Sequence, residues 1–286
     1  MCCLNIFSFK SRINHLTHYI FNTFDKTETQ SNKEYEETID SKLLHQINKY
    51  KQELDIEKEE TIHSKQEIQS LVTHISHQVK TPLANIKIYN DLLARTDLSK
   101  EEVIDFRQML NQQINKLDFL MESLIKMSRL ETDIIQLDIE KNDLYSTLIE
   151  VINHVFLLTE KKHINIELSK NTHISALYDE KWTQEAIFNV LENCIKYSNK
   201  NTTITIQMSK NTFFSKIIIT DQGIGIKKEN YNNIFQRFYR AQEVQDEDGI
   251  GIGLYLTREI LSREEGYITV QSEYGKGSTF TIYLKR

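Results

Sequence analysis

All eight glycines of this 286-residue chain lie between positions 223 and 277, and its only proline is Pro82. Glycine and proline are the residues that most often interrupt regular secondary structure. The chain before position 223 therefore permits long helices, whereas the glycine-bearing part favours turns and loops between shorter elements. This asymmetry predicts two different kinds of fold in one chain.

Two long helices are predicted in the first half. From about Ser41 an imperfect heptad seam predicts a parallel two-stranded coiled coil and hence a homodimer, with a single solvated helix as the alternative. A second helix is predicted from Ser99, a capping residue, to Leu130, and its short connection to the first makes a hairpin. Two hairpins can form a four-helix bundle. The seam positions are Ile47, Leu54, Thr61, Ile68 and Ile75.

A change of pattern after about Thr132 predicts a second domain. Helical segments at 144–162, 182–198 and 254–265 alternate with β-branched runs such as "TTITIQM" and "STFTIYL". Helices interleaved with antiparallel-looking strands indicate an α/β layer, with a domain boundary between about 130 and 137. The predicted fold class is therefore α+β multidomain, a dimeric helical hairpin followed by an α/β sandwich.

Composition excludes several functional classes. The net charge of −6 leaves no basic surface for nucleic acid. The three cysteines lack disulfide or metal-site spacing, and no stretch reaches the roughly 18 apolar residues of a membrane span, so we expect a cytoplasmic protein. Residues 1–24 leave two alternatives, a short packing terminus or an interfacial helix in peripheral contact with a membrane.

The stretch "THISHQVKTPLANI" places a histidine where a partner can reach it. On a helix, His77 lies opposite the apolar stripe that includes Ile75 and Val79, so it should face outward. Pro82 removes one helical N–H and crowds the carbonyl of Gln78, which predicts a kink or loosened turn just after the histidine.

Four polar and glycine-rich clusters follow in order in the second domain. Asn189 and Asn193 lie four apart on one helical face and offer oxygen ligands suited to a phosphate-bound Mg²⁺. Asp221 ends a predicted strand, where a carboxylate can accept a hydrogen bond from an exocyclic amine. "DGIGIGLYLT" opens a helix whose N–H groups favour phosphate, and "YGKGSTF" predicts a turn.

Six motifs together carry a resemblance to the sensor histidine kinases of two-component signalling. "SHQVKTPL" resembles the phosphoacceptor box, "NVLENCIKYS" the N box, "DQGIGI" the first glycine box and "IFQRFYRA" the phenylalanine box. "GIGIGL" and "GKGSTF" resemble the second and the terminal glycine boxes. The resemblance covers about residues 65–286.

The resemblance implies a domain order as well as an activity. Residues 1–40 remain unassigned, 41–67 form a coiled-coil linker, 68–132 a dimerisation and histidine phosphotransfer domain, and 133–286 a catalytic ATP-binding domain of the gyrase-like superfamily. His77 would be phosphorylated by ATP and pass the phosphoryl group to an aspartate of a response regulator. The alternatives are a nucleotide-sensing scaffold with weak or no kinase activity and an ATPase of the gyrase or chaperone type.

The motif positions also imply the roles of individual residues. Asn193 matches the Mg²⁺-binding asparagine, Asp221 the adenine-reading acid, and Arg237 a residue that stabilises γ-phosphate charge. The remaining nucleotide-binding positions are Asn189, Lys196, Tyr197, Gly223, Gly225, Gly249, Gly251 and Gly253.

Two departures from the family pattern affect the expected chemistry. Gln78 stands where most relatives carry a carboxylate, and an amide cannot act as a general base near neutral pH. Thr81 matches a water-orienting residue of the phosphatase reaction but lacks that acidic companion. The lid, 236–249, is acidic at Glu243 and 246–248, which predicts a solvated surface because these charges repel a triphosphate.

Overall fold

The computed structural model describes residues 33–131, 136–169, 173–244 and 249–286, and it divides the chain into two units, Met1–Val72 and Thr73–Arg286. The predictions for the terminus, residues 1–24, and for the acidic lid residues 246–248 concern positions outside the described residues. None of the described helices is long and apolar enough to cross a membrane.

The first long helix, α1 (Lys33–Leu93), begins eight residues before the predicted start and continues through Pro82 as one helix. In the first unit the seam residues Ile47, Leu54 and Ile68 are exposed. In a parallel coiled coil, apolar side chains at heptad spacing are exposed on the single helix and become buried when the second helix pairs with it. The dimer itself stays a prediction.

The second long helix, α2 (Lys100–Glu131), follows a short turn, as predicted. Ser99 caps it in a reciprocal box: the Glu102 amide donates to the Ser99 hydroxyl at 3.2 Å, and the Ser99 amide donates to the Glu102 carboxylate at 2.8 Å. Near its end, α2 buries Leu120, Met127 and Leu130.

Residues 140–286 form an α/β sandwich. The strands are β1 (Glu140–Asp143), β2 (Asn165–Leu168), β3 (Ser175–Tyr178), β4 (Thr203–Lys210), β5 (Phe214–Thr220), β6 (Tyr267–Glu273) and β7 (Gly277–Lys285). The helices are α3 (Leu144–Lys162), α4 (Glu180–Tyr197) and α5 (Gly253–Arg263). A five-stranded sheet in the order β2-β4-β5-β7-β6 packs its apolar face against these three helices.

Two features of the sheet differ from the sequence-based prediction. The sheet is mixed, because β2 pairs with β4 in parallel through the crossover helix α4. In addition, β1 and β3 form a separate two-stranded antiparallel sheet that was not predicted. Both strands have four residues, and β1 ("EKND") has no apolar alternation, so its pairing comes from contact with β3 rather than from local pattern.

A buried carboxyl group makes the stability of this sandwich depend on pH. Glu264 caps α5 and is 1% exposed; the Thr183 hydroxyl lies 2.8 and 3.0 Å from its oxygens, and the Asp179 amide donates to it at 3.2 Å. Burial raises the pKa of Glu264 to about 8. The folded protein thus favours the neutral acid.

We expect the free energy of unfolding to fall by on the order of 4 kcal/mol as pH rises from about 4.5 to 8, since the unfolded chain releases this proton first. Glu264→Gln, which mimics the neutral acid, should remove that dependence in urea titrations at pH 5 and pH 8.5. Glu122→Gln, an exposed control on α2, should keep it. Equal pH dependence in both variants would contradict the assignment.

Candidate functional site

Helix α4 carries the polar face of the site. Asp179 caps its start by accepting a hydrogen bond from the Trp182 amide at 3.1 Å. At its other end the Lys162 ammonium, from α3, donates to the carbonyls of Ile195, Lys196 and Ser198. Both ends are therefore held, and the last turn is fixed against the preceding helix.

The two asparagines of α4 are arranged as the sequence spacing predicts. Asn189 is buried, and its Nδ2 has no hydrogen-bond partner among the described residues. The side-chain amide of Asn193 donates through Nδ2 to the backbone carbonyl of Asn189 at 2.8 Å. The Oδ1 atom of Asn193 remains an acceptor that can serve as a ligand. A buried polar atom without a partner is costly, so it indicates a ligand at this position.

Asp221 follows β5 and is held from behind. Its Oδ1 accepts hydrogen bonds from the amides of Gly223 at 2.8 Å and Ser278 at 3.2 Å. Burial raises the pKa of Asp221, and these two amides oppose that effect. The Cys194 thiol also hydrogen-bonds this carboxylate. A carboxylate has about four lone-pair sites, so it can accept a further hydrogen bond from a ligand beside these donors.

The glycines of the first glycine motif allow the backbone to approach closely. Gly225 has φ +70°, and a Cβ there would lie 2.1 Å from the Glu273 carbonyl oxygen. A Cβ on Gly223 would lie 2.5 Å from the Tyr197 carbonyl oxygen. These positions exclude side chains and join the motif to α4 and β6.

The second glycine motif lies against the same helix. A Cβ on Gly249 would lie 2.7 Å from the Lys196 ammonium, and one on Gly253 would lie 3.0 Å from the Asn189 amide oxygen. Gly253 also begins α5. The start of that helix therefore meets the asparagine face of α4, where a bound anion would be favoured.

These groups surround one cavity of about 650 Å³. Its wall includes nine of the predicted positions, Asn189, Asn193, Lys196, Tyr197, Asp221, Gly225, Gly249, Gly251 and Gly253. Gly223 lies behind the wall and positions Asp221. A wall that holds an acid, two asparagines and lysines fits a nucleoside triphosphate with its cation.

The phosphoacceptor candidate lies outside that cavity. His77 is exposed on α1, as its helical position predicts, and Thr81 donates its hydroxyl to the His77 carbonyl at 3.4 Å. Its neighbour His74 stacks on Phe238 with ring centroids 5.6 Å apart. The structure thus places Phe238 of the phenylalanine box against the turn of α1 that precedes His77.

Arg237 is also outside the cavity wall. Its guanidinium pairs with Glu131 at 2.9 Å and lies over the Tyr255 ring at 4.8 Å. The Tyr255 hydroxyl donates to the same carboxylate at 3.1 Å. In this arrangement Arg237 joins the end of α2 to α5 rather than facing a phosphate.

Sequence reasoning missed part of the cavity wall. Lys227 lies over the Tyr274 ring and pairs with Glu243, a residue that was predicted to be solvated, and Arg240 donates to the Val244 carbonyl. Lys227 directly follows "DQGIGI" and Arg240 lies within "IFQRFYRA". Their position in or next to a motif was the sequence feature that could have predicted them as cavity residues. The face of α2 at 112–119 also lines the cavity.

Two family models match the two parts of the chain. Residues 67–133 match the His Kinase A (phospho-acceptor) domain, and residues 178–286 match the Histidine kinase-, DNA gyrase B-, and HSP90-like ATPase. The class defined by fold and site is a phosphoacceptor helical hairpin joined to an ATP-binding sandwich.

Two relatives align with most of this chain. The chain is 30% identical over 291 residues to the histidine protein kinase SaeS of Staphylococcus epidermidis, covering 97% of this chain and 77% of the relative. It is 28% identical over 215 residues to the sensor-like histidine kinase SenX3 of Mycolicibacterium smegmatis, covering 74% of this chain and 56% of that relative. The chain belongs to the sensor histidine kinases.

Solved structures show the same fold. The histidine kinase AdeS of Acinetobacter baumannii superposes with a TM-score of 0.59 at 21% identity, covering 73% of this chain and 97% of that chain. The histidine kinase ThkA, solved in complex with the response regulator protein TrrA, gives a TM-score of 0.62 at 18% identity, covering 76% and 61%.

Proposed function

We propose that this chain is an ATP-dependent, homodimeric protein histidine kinase that phosphorylates His77 and passes the phosphoryl group to an aspartate of a response-regulator receiver domain. The observation that carries the proposal is the cavity where Asn193 and Asp221 converge, on the same chain as an exposed phosphoacceptor histidine. The ThkA complex with its response regulator supports the class of partner.

The cavity orients ATP because an acid contacts the adenine end, whereas asparagines and a lysine contact the triphosphate end. Asp221 accepts a hydrogen bond from the exocyclic amine of adenine. Asn189, Asn193 and Lys196 lie where the triphosphate would extend. The Oδ1 of Asn193 would hold Mg²⁺, which neutralises phosphate charge when bound. Catalysis here depends mainly on position and electrostatics.

The reaction at His77 needs little covalent help. A lone pair on the neutral imidazole forms the N–P bond while the bond from phosphorus to the β–γ bridging oxygen breaks, and ADP leaves. The proton on the other ring nitrogen must go to water or a base, because the Gln78 amide cannot take it. We therefore expect slower autophosphorylation than a carboxylate at this position would support.

His77 and Arg237 both lie outside the cavity wall, so phosphoryl transfer within one chain requires the sandwich to move relative to the hairpin. Arg237 would have to leave Glu131 and Tyr255 before its guanidinium could stabilise γ-phosphate charge. Thr81, one turn after His77, is the candidate for orienting water if the protein also dephosphorylates its regulator.

We assign the domains as the motifs divide them. A helical linker at 41–67 leads to the dimerisation and phosphotransfer hairpin at 68–132, and the ATP-binding domain occupies 133–286. The exposed seam of α1 supports dimerisation through the linker and hairpin.

The test is to incubate the full chain with γ-labelled ATP and Mg²⁺. We expect label on the protein that is lost in acid and kept in base, as for a phosphoramidate. The label should then move to a receiver domain when a panel of response regulators is added. Absence of protein label at saturating ATP would contradict the kinase proposal.

A second candidate is a nucleotide-sensing scaffold, which Gln78 and the withdrawn Arg237 favour. Such a protein would bind ATP tightly, form no phosphohistidine and bind a partner only in one nucleotide state. The same labelling assay, run beside a nucleotide-binding measurement, separates it from the kinase.

A further inference from the structure

The nucleotide cavity has a second wall that the sandwich does not supply. Gln112, Lys116 and Phe119 lie on one face of α2, at intervals of four and three residues, and line the same cavity as Asn193. Helix α2 belongs to the hairpin, so the hairpin contributes directly to the space where the nucleotide is expected.

Beside this face, α2 carries an apolar stripe that is interrupted by one polar residue. Gln113 interrupts the stripe that runs through Phe106, Leu110, Leu117 and Leu120. Its side-chain oxygen accepts a hydrogen bond from the Asn85 amide of α1 at 3.4 Å. Gln113 also lines the cavity, so this hydrogen bond ties the cavity wall to the helix that carries His77.

The register of α2 along α4 places Lys116 near the phosphate side. Lys126 pairs with Glu185 at 2.8 Å. Phe119 and Glu192, each seven residues and about two helical turns from that pair, both line the cavity. The two helices therefore pass in opposite directions here, and Lys116 lies toward the Lys196 end of α4.

Charge favours a phosphate ligand for this lysine. Among the described residues, the cavity wall has four cationic side chains: Lys116, Lys196, Lys227 and Arg240. Glu192 and Asp221 add negative charge to the same wall. A triphosphate needs positive charge at close range in a partly enclosed space, and Lys116 supplies it from the hairpin.

We propose that Lys116 contacts the triphosphate of bound ATP, so that the nucleotide bridges the hairpin and the sandwich. This inference rests on the proposed function, because it assumes that ATP occupies the cavity. Lys116 would then be a nucleotide-contacting residue outside the ATP-binding domain. Triphosphate binding would stabilise the arrangement in which the hairpin packs on the sandwich and His77 lies outside the cavity.

The test measures affinity of the full chain for a non-hydrolysable ATP analogue and for adenosine, each with Mg²⁺, by displacement of a fluorescent nucleotide. Lys116→Gln should weaken the analogue about tenfold, as expected for loss of one charge-assisted contact, and leave adenosine unchanged. Lys116→Arg should restore most of the affinity. Arg107→Gln, an exposed change of the same charge on α2, should match wild type.

Two results would overturn the inference. One is an analogue affinity of Lys116→Gln equal to that of Arg107→Gln. The other is an equal loss for analogue and adenosine, which would mean a structural role. Melting temperatures of all variants fix a temperature at which each is folded. Failure of the proposed function would look different, since wild type itself would then not bind the analogue.

Discussion

His77→Gln is expected to abolish ATP-dependent labelling of the protein. Glutamine keeps a polar side chain of similar reach but lacks the ring nitrogen whose lone pair forms the N–P bond. Because His77 is exposed and lies outside the cavity wall, the variant should fold normally and bind the ATP analogue within about twofold of wild type. The measurement is incorporation of γ-label at saturating ATP and Mg²⁺, beside nucleotide binding on the same sample.

Two histidine controls make that result specific. His154→Gln changes an exposed histidine on α3 and should label like wild type. His74→Gln tests the neighbour that stacks on Phe238 and should keep the label, although its rate can change because that stack joins α1 to the phenylalanine box. Label that survives His77→Gln and is lost in His74→Gln would move the phosphoacceptor by one turn.

Asp221→Asn is expected to weaken ATP binding by about 30-fold or more. The two amides of Gly223 and Ser278 hold one side-chain oxygen as an acceptor, so the new amide nitrogen would point a donor at the donor amine of adenine. An unsatisfied buried donor costs on the order of 2 kcal/mol, which corresponds to this loss.

The same variant should reduce the preference for ATP over GTP. Guanine presents a carbonyl oxygen where adenine presents its amine, and an amide donor can satisfy it. Affinities for both nucleotides should be compared with those of Asp143→Asn, where asparagine preserves the N-cap of α3. Unchanged ATP affinity in Asp221→Asn would show that the adenine lies elsewhere.

Much of the site could be predicted because its parts are local. Asn189, Asn193 and Lys196 share a helical face at intervals of four and three residues, and Asp221 with Gly225 forms a single strand-to-loop connection. The helices and the five main strands follow from periodicity and β-branched runs. The short strand β1 could not be found in this way, since four residues without alternation acquire a strand conformation only by pairing.

The sequence by itself determined which sandwich residues come together in the cavity wall and that His77 faces outward, because both depend on helical spacing and short loops. Only the tertiary structure decided that Arg237 pairs with Glu131, that Lys227 pairs with Glu243, and that α2 lines the cavity. Each of these contacts joins residues from elements that are distant in the chain. Their packing depends on side chains from both partners, which no local pattern in either one contains.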